Sequence, residues 1–189
     1  MKATLTLGLA LVLAGATAAI AAELKSGLQP GDLVPAFDVE KCGGAVNDGK
    51  EVGDNFCYRC MLGNKPVVMV FARKADKSLA TLVKELDKTV AKNSDQKLSS
   101  FVNLIGSDPS ELKAKAKEFA AKNQVENVAL VVPHDNENGP AEFNISPAAD
   151  VTVTIYRNGK VVASHAVSAG DLNKSEIESI IADTGKILK

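Results

Sequence analysis

The chain has 189 residues, 22 Lys and Arg against 23 Asp and Glu, and a formal net charge of −1. That length suits one domain plus a targeting segment and is enough to bury an ordinary core without disulfides. The balanced charge, the lack of a Lys/Arg cluster, and aromatics limited to 2 Tyr and 6 Phe with no Trp argue against a nucleic-acid or anionic-membrane surface.

Residues 1–21 read as a secretory signal peptide. Lys2 supplies the positive end, residues 5–14 the apolar core, and Ala19-Ile20-Ala21 the small-x-small cleavage site. The apolar run is short and ends in small residues, which fits a cleaved leader better than a membrane anchor. Residues 22–189 are then expected to form one exported domain, periplasmic or extracellular, with no stable membrane insertion of its own. Close thiols tend to be oxidised there, and the chain has three cysteines, Cys42, Cys57 and Cys60. The odd count implies a disulfide with a spare thiol, a thiol-metal site, or an intermolecular bridge.

After a short polar lead, residues 30–39 suggest a turn and an alternating strand with Leu33, Phe37 and Val39 inward. Residues 41–64 are crowded with turn formers, Gly43-Gly44, Asn47-Asp48-Gly49, Gly53-Asp54-Asn55 and Gly63-Asn64, and read as one irregular region holding all three cysteines. Residues 67–72 form an apolar run of the kind that makes a buried central strand. An amphipathic helix follows over 78–90, with Leu79, Leu82, Val83, Leu86 and Val90 inward. Residues 99–105 are the next strand. Asp108-Pro109-Ser110-Glu111 is a strong helix start, and that helix runs to about Asn123, burying Leu112, Ala116 and Phe119.

Residues 128–132 give another buried strand, followed by a polar loop over 134–140 and a short helix over 141–145. Residues 151–156 and 160–167 pair as a hairpin across Asn158-Gly159, the strongest short hairpin signal. Residues 175–184 close the chain as a helix with Ile177, Ile180 and Ile181 inward. Strands alternating with helices imply an α/β sheet, parallel at its centre, with the final β-β-α adding antiparallel strands at one side.

Three stretches carry a family resemblance. PGDLVPAF over 30–37 is similar to the opening of the peroxiredoxin and alkyl hydroperoxide reductase branch, and KPVVMVF over 65–71 resembles that branch's first core strand. VTVTIYRNGKV over 151–161 resembles the last hairpin of thioredoxins. The resemblance implies a thioredoxin-like fold over nearly all of the mature chain: a central mixed sheet flanked by helices, with an N-terminal extension carrying the cysteine loop. Two features of that family are missing. Its Cys-x-x-Cys follows the central strand, where this chain has RKADKS over 73–78. Its cis-proline precedes the last hairpin, where this chain has Asp150-Val151, with Pro147 too early. The family's redox residues therefore map onto no residue here.

The cysteines admit three readings. In the first, Cys57 and Cys60 form a relocated Cys-x-x-Cys redox pair acting on thiol-containing proteins. Cys57 attacks, Cys60 resolves, Arg59 stabilises the thiolate, and Cys42 serves as a further resolving thiol. The second is a non-catalytic binding or scaffold module with a structural disulfide, Cys42 bridged to Cys57 or Cys60, contributing about 3 kcal/mol. The third is a Cys₃His zinc set of Cys42, Cys57 and Cys60 with His134 or His165. No cofactor is called for, and Met61 stands where covalent haem attachment needs a histidine. His134 otherwise reads as a solvated loop residue and His165 as part of an exposed hairpin face. Residues 135–139 are acidic without EF-hand spacing. Asn144 and Asn173 head formal glycosylation sequons. Lys74, Lys77, Lys84 and Lys88 read as a solvated helix face.

Overall fold

The computed structural model describes residues 24–188; the expected signal peptide and its cleavage site lie outside them. The strands are β1 (Val39–Gly44), β2 (Asn55–Phe56), β3 (Val67–Ala72), β4 (Ser99–Leu104), β5 (Val128–Pro133), β6 (Val151–Arg157) and β7 (Lys160–Val167). The helices are α1 (Tyr58–Leu62), α2 (Lys77–Lys92), α3 (Pro109–Asn123) and α4 (Lys174–Thr184). Among the described residues the strands make one sheet in the order β2-β1-β5-β4-β3-β6-β7. β3, β4 and β5 are parallel, their crossovers made by α2 and α3. β1 and β6 flank them antiparallel, and β7 extends the β6 side.

All six side chains of β3 are buried, because both faces of the sheet are covered. Its unbroken Val-rich run is the sequence form of that double burial. On one face Val68, Val70, Ala72, Val102 and Val153 pack against α2, α3 and α4. On the other, Val67, Met69, Phe71, Phe101 and Tyr156 pack against Tyr58 and Leu62 of α1, Phe143, and Leu28 and Val34 of the lead segment. The first face is therefore closed by long helices and the second by short turns and loops.

The Asp108 start acts as expected, and α2 has a cap of the same kind one turn before its first buried residue. Asp76 accepts from the Leu79 N–H at 2.9 Å to start α2. Asp108 accepts from the Ser110 and Glu111 N–H groups at 2.9 and 3.1 Å to start α3. The hairpin turns on Asn158 and Gly159, at φ 54° and 70°, the left-handed pair a two-residue hairpin turn requires.

The N-terminal third departs from the sequence expectation. No strand runs over 30–39. Leu33 is 74 % exposed and makes only an isolated bridge to Lys160. The lead segment is instead strapped to the final hairpin by backbone bonds, Gly31 N–H to Val161 O and Val34 N–H to Gly159 O, both 2.9 Å. Pro30 and Pro35 lack the N–H groups a regular ladder would need. The strand begins at Val39 and carries Cys42, so the cysteines do not share one irregular loop. Cys42 belongs to the sheet, and Cys57 and Cys60 to the start of α1.

Candidate redox site

Cys57 caps α1 in an extended conformation, and its Sγ accepts the Cys60 N–H at 3.0 Å. The two sulfurs are bridged, S–S 2.17 Å with Cα atoms 5.2 Å apart. Cys60 is exposed and Cys57 half-buried. Cys60 is thus the more accessible residue of the pair, while the Cys57 sulfur is held at the helix start by the Cys60 N–H.

A short helix has little stability of its own, so its position depends on what it is packed against. Tyr58 is buried and stacks on Phe101 of β4, centroids 5.0 Å apart at 16°, with Phe56 tilted against its other side at 4.5 Å. Its hydroxyl donates to the Asp48 carboxylate. Burial, reinforced by that acceptor, holds the phenol far above its ordinary pKa. Asp48 also accepts from Lys41 Nζ at 2.6 Å and from the Lys50 N–H at 2.9 Å. Lys41 is 2 % exposed and donates further to Ala45 O at 3.0 Å and Lys50 O at 2.7 Å. All three ammonium donors are therefore satisfied, as burial of a lysine demands. The chain from Lys41 through Asp48 to Tyr58 ties the cysteine helix to β1. The sequence does not announce it, because Lys41 opens a stretch crowded with turn formers. The alternation Val39, Lys41 in a strand would have been the only clue.

The residues assigned supporting roles fall elsewhere. Arg59 donates to Val34 O at 3.2 Å and Gly63 O at 3.3 Å, so its guanidinium is occupied by carbonyls and locks the lead segment to α1. A Cβ at Gly159 would stand 2.1 Å from its Nη2, which gives that glycine a packing role besides its turn. Cys42 is buried and unpaired, its thiol donating to Glu40 O at 3.5 Å. Burial, then the nearby Glu40 carboxylate, pushes its pKa up to about 11. It is neither half of the expected staple nor placed as a resolving thiol: an inaccessible, neutral thiol on a strand does not reach a bridge it must attack. The zinc set is not assembled either, since no cluster of three or more His, Cys, Asp or Glu suited to a metal occurs among the described residues.

His134 follows β5, exposed, with Nε2 at 2.8 Å from Asn55 Oδ1. His165 is not on an exposed face. Its side chain is 11 % exposed and lies between Glu176 and Asp183 of α4, at 2.9 and 3.3 Å. The register explains this: His165 shares a face with Ala163 and Val167, which α4 covers. Asn173 is engaged as the cap of α4, accepting the Glu176 N–H at 3.1 Å. Of the lysine set, Lys74 pairs with Asp150 and Lys88 with Glu85, at 2.8 and 2.7 Å.

No family model matches this sequence, and no curated protein matches it. Solved structures do. A protein from Bacteroides thetaiotaomicron assigned as a protein disulfide isomerase is 17% identical, with 87% of this chain and 94% of that chain covered and a TM-score of 0.62. The peroxidoxin BcpB of Mycobacterium tuberculosis is 17% identical over 86% of this chain and 99% of that one, TM-score 0.60. A thio-disulfide isomerase from Thermus thermophilus is 17% identical over 82% and 97%, TM-score 0.51. Identities this low speak to architecture alone. The agreement over nearly the whole of each chain, together with the mixed sheet and its crossovers, identifies this chain as a thioredoxin-like fold carrying a Cys57–Cys60 pair.

Proposed function

We propose that the protein is an exported thiol–disulfide exchange protein working through Cys57 and Cys60 on thiol-containing proteins. The observation that carries the reading is the exposed residue Cys60, bridged to a half-buried Cys57 whose sulfur a backbone N–H already serves. Disulfide exchange needs a reachable sulfur and a stabilised leaving thiolate, and the pair supplies one of each. A substrate thiolate attacks Cys60 Sγ, the Cys57–Cys60 bond breaks, and the electron pair leaves on Cys57 Sγ, where the Cys60 N–H supports it. A second substrate thiolate then attacks the mixed disulfide and releases Cys60. The substrate dithiol is oxidised and the protein pair reduced; the reverse sequence oxidises the protein. In both directions Cys60 exchanges with substrate; Cys57 is the leaving thiolate when the substrate is oxidised and the resolving thiol when the substrate is reduced. The half-buried position of Cys57 supports this division over the one expected from sequence order.

The staple reading is the weaker one. A bridge across a sequence separation of 3 closes so small a loop that chain entropy gives only about 2 kcal/mol. The helix it would staple is already held by the buried Lys41–Asp48–Tyr58 chain. Export is supported by the leader features of residues 1–21 and by the bridge itself. No helix among the described residues is long and apolar enough to cross a membrane.

Trapping tests the reading. C57S, which removes the resolving sulfur, is expected to accumulate Cys60-linked mixed disulfides when its Cys60 thiolate attacks a disulfide-containing unfolded protein. C60S is expected to accumulate far fewer. Equal and negligible trapping by both variants would leave the pair without an exchange role.

A further inference from the structure

A groove of about 560 Å³ opens between α2 and α3 at the C-terminal ends of β3 and β4. It stands apart from the thiol pair: Met61 and Leu62, next to Cys60, line a different hollow with Ser99 at the N-terminal end of β4. The volume falls in the range of a small-molecule site, with an apolar floor under a rim on which charged side chains predominate. Leu104, Leu112 and Phe119 make the floor, with Ala75 and Ala80 on the α2 side.

The charges on its rim narrow the choice of ligand. Lys74 is compensated by Asp150 at 2.8 Å and Lys115 by Glu111 at 2.7 Å. Arg73 is fixed by three backbone carbonyls, of Ala149, Ser146 and Glu137, and Asp76 is occupied as the α2 cap. Lys77 on α2 and Lys122 on α3 are exposed, lie on opposite walls, and have no ion pair or side-chain hydrogen bond among the described residues. The remaining carboxylate, Glu118, is the single unengaged acid of the lining. Arg73, Lys77 and Lys122 against Asp76 and Glu118 leave the groove one positive charge in excess, on mobile ammonium groups above an apolar floor.

We propose that this groove binds a small amphipathic monoanion, a carboxylate carried on a short apolar chain. The chain lies on Leu104, Leu112 and Phe119, and the carboxylate is taken between Lys77 and Lys122. Binding owes nothing to the cysteines, so its failure would leave the exchange reading intact.

The test is titration of the ¹⁵N-labelled mature protein with sodium octanoate, with octyltrimethylammonium as a cation of equal chain length. Saturable shifts confined to α2, α3 and the ends of β3 and β4 are expected for octanoate only. K77Q/K122Q is expected to weaken the dissociation constant about tenfold, a loss of about 1.4 kcal/mol, with its unfolding midpoint unchanged. Equal binding of the cation, full affinity in the double variant, or shifts that do not saturate would each overturn the proposal.

Discussion

Cys42 illustrates how one side chain can look functional in sequence and be structural in the fold. Its neighbours in the chain suggested a loop thiol close to two others, whereas β1 buries it and leaves it unpaired. The raised pKa has a consequence with a definite sign. The folded thiol titrates at about 11 against an ordinary 9.0, so the unfolded chain loses its proton first. Stability is full below about pH 9 and falls as pH rises toward 11. Urea unfolding of the protein is expected to show this decline, and C42A to flatten it relative to wild type; an identical decline in both would assign it to other groups. The buried Lys41–Asp48 pair gives a second expectation. Asp48→Ala leaves a 2 % exposed ammonium without its counterion and removes the acceptor of Tyr58. Breaking such a pair costs about 3 kcal/mol, measurable as a lowered urea midpoint; a change within experimental noise would show that the pair does not hold α1.

At the scale of elements, legibility followed the strength of local signals. The Asp108-Pro109 start and the Asn158-Gly159 turn each satisfy a backbone requirement within a few residues, so they were readable from sequence alone. β3 was readable because double burial leaves an unbroken apolar run. α1 was not, because five residues are too few to show a helical period and its stability comes from Tyr58 packing on Phe101. Contacts between distant elements were equally hidden. Asp87 of α2 accepts the N–H groups of Glu126, Asn127 and Val128 at 3.0, 2.7 and 3.2 Å, capping the turn that feeds β5. Nothing in the helix pattern distinguishes it from a solvated acid. Asp87→Ala orphans all three donors and is expected to destabilise the protein by about 2 kcal/mol. In hydrogen exchange the amides of 126–128 should lose protection first; unchanged protection there would contradict the role.

The whole molecule joins an ordinary thioredoxin-like sheet to an unusual placement of its cysteines. The fold class was legible because strands alternating with helices imply a sheet parallel at its centre and the Asn158-Gly159 turn a hairpin, whereas the order of the strands is set by contacts that chain order only narrows. The site was legible only as a motif. The roles of its members depend on exposure and on what Cys57, Arg59 and Cys42 touch, which spacing does not encode. Arg73 follows β3, where the resemblance leads one to expect cysteine chemistry, and it braces the loop before β6 through Ser146 O and Ala149 O. The thiol chemistry we propose is instead set before β3, on a helix tied to β1 through a buried lysine. The most direct test is the equilibrium reduction potential of the Cys57–Cys60 pair, measured on the purified mature protein in glutathione buffers with both thiol states resolved by mass spectrometry. A potential between about −120 and −270 mV, the range of thiol–disulfide oxidoreductases, is expected. A bridge that stays closed until below about −300 mV would mark a structural disulfide and contradict an exchange function.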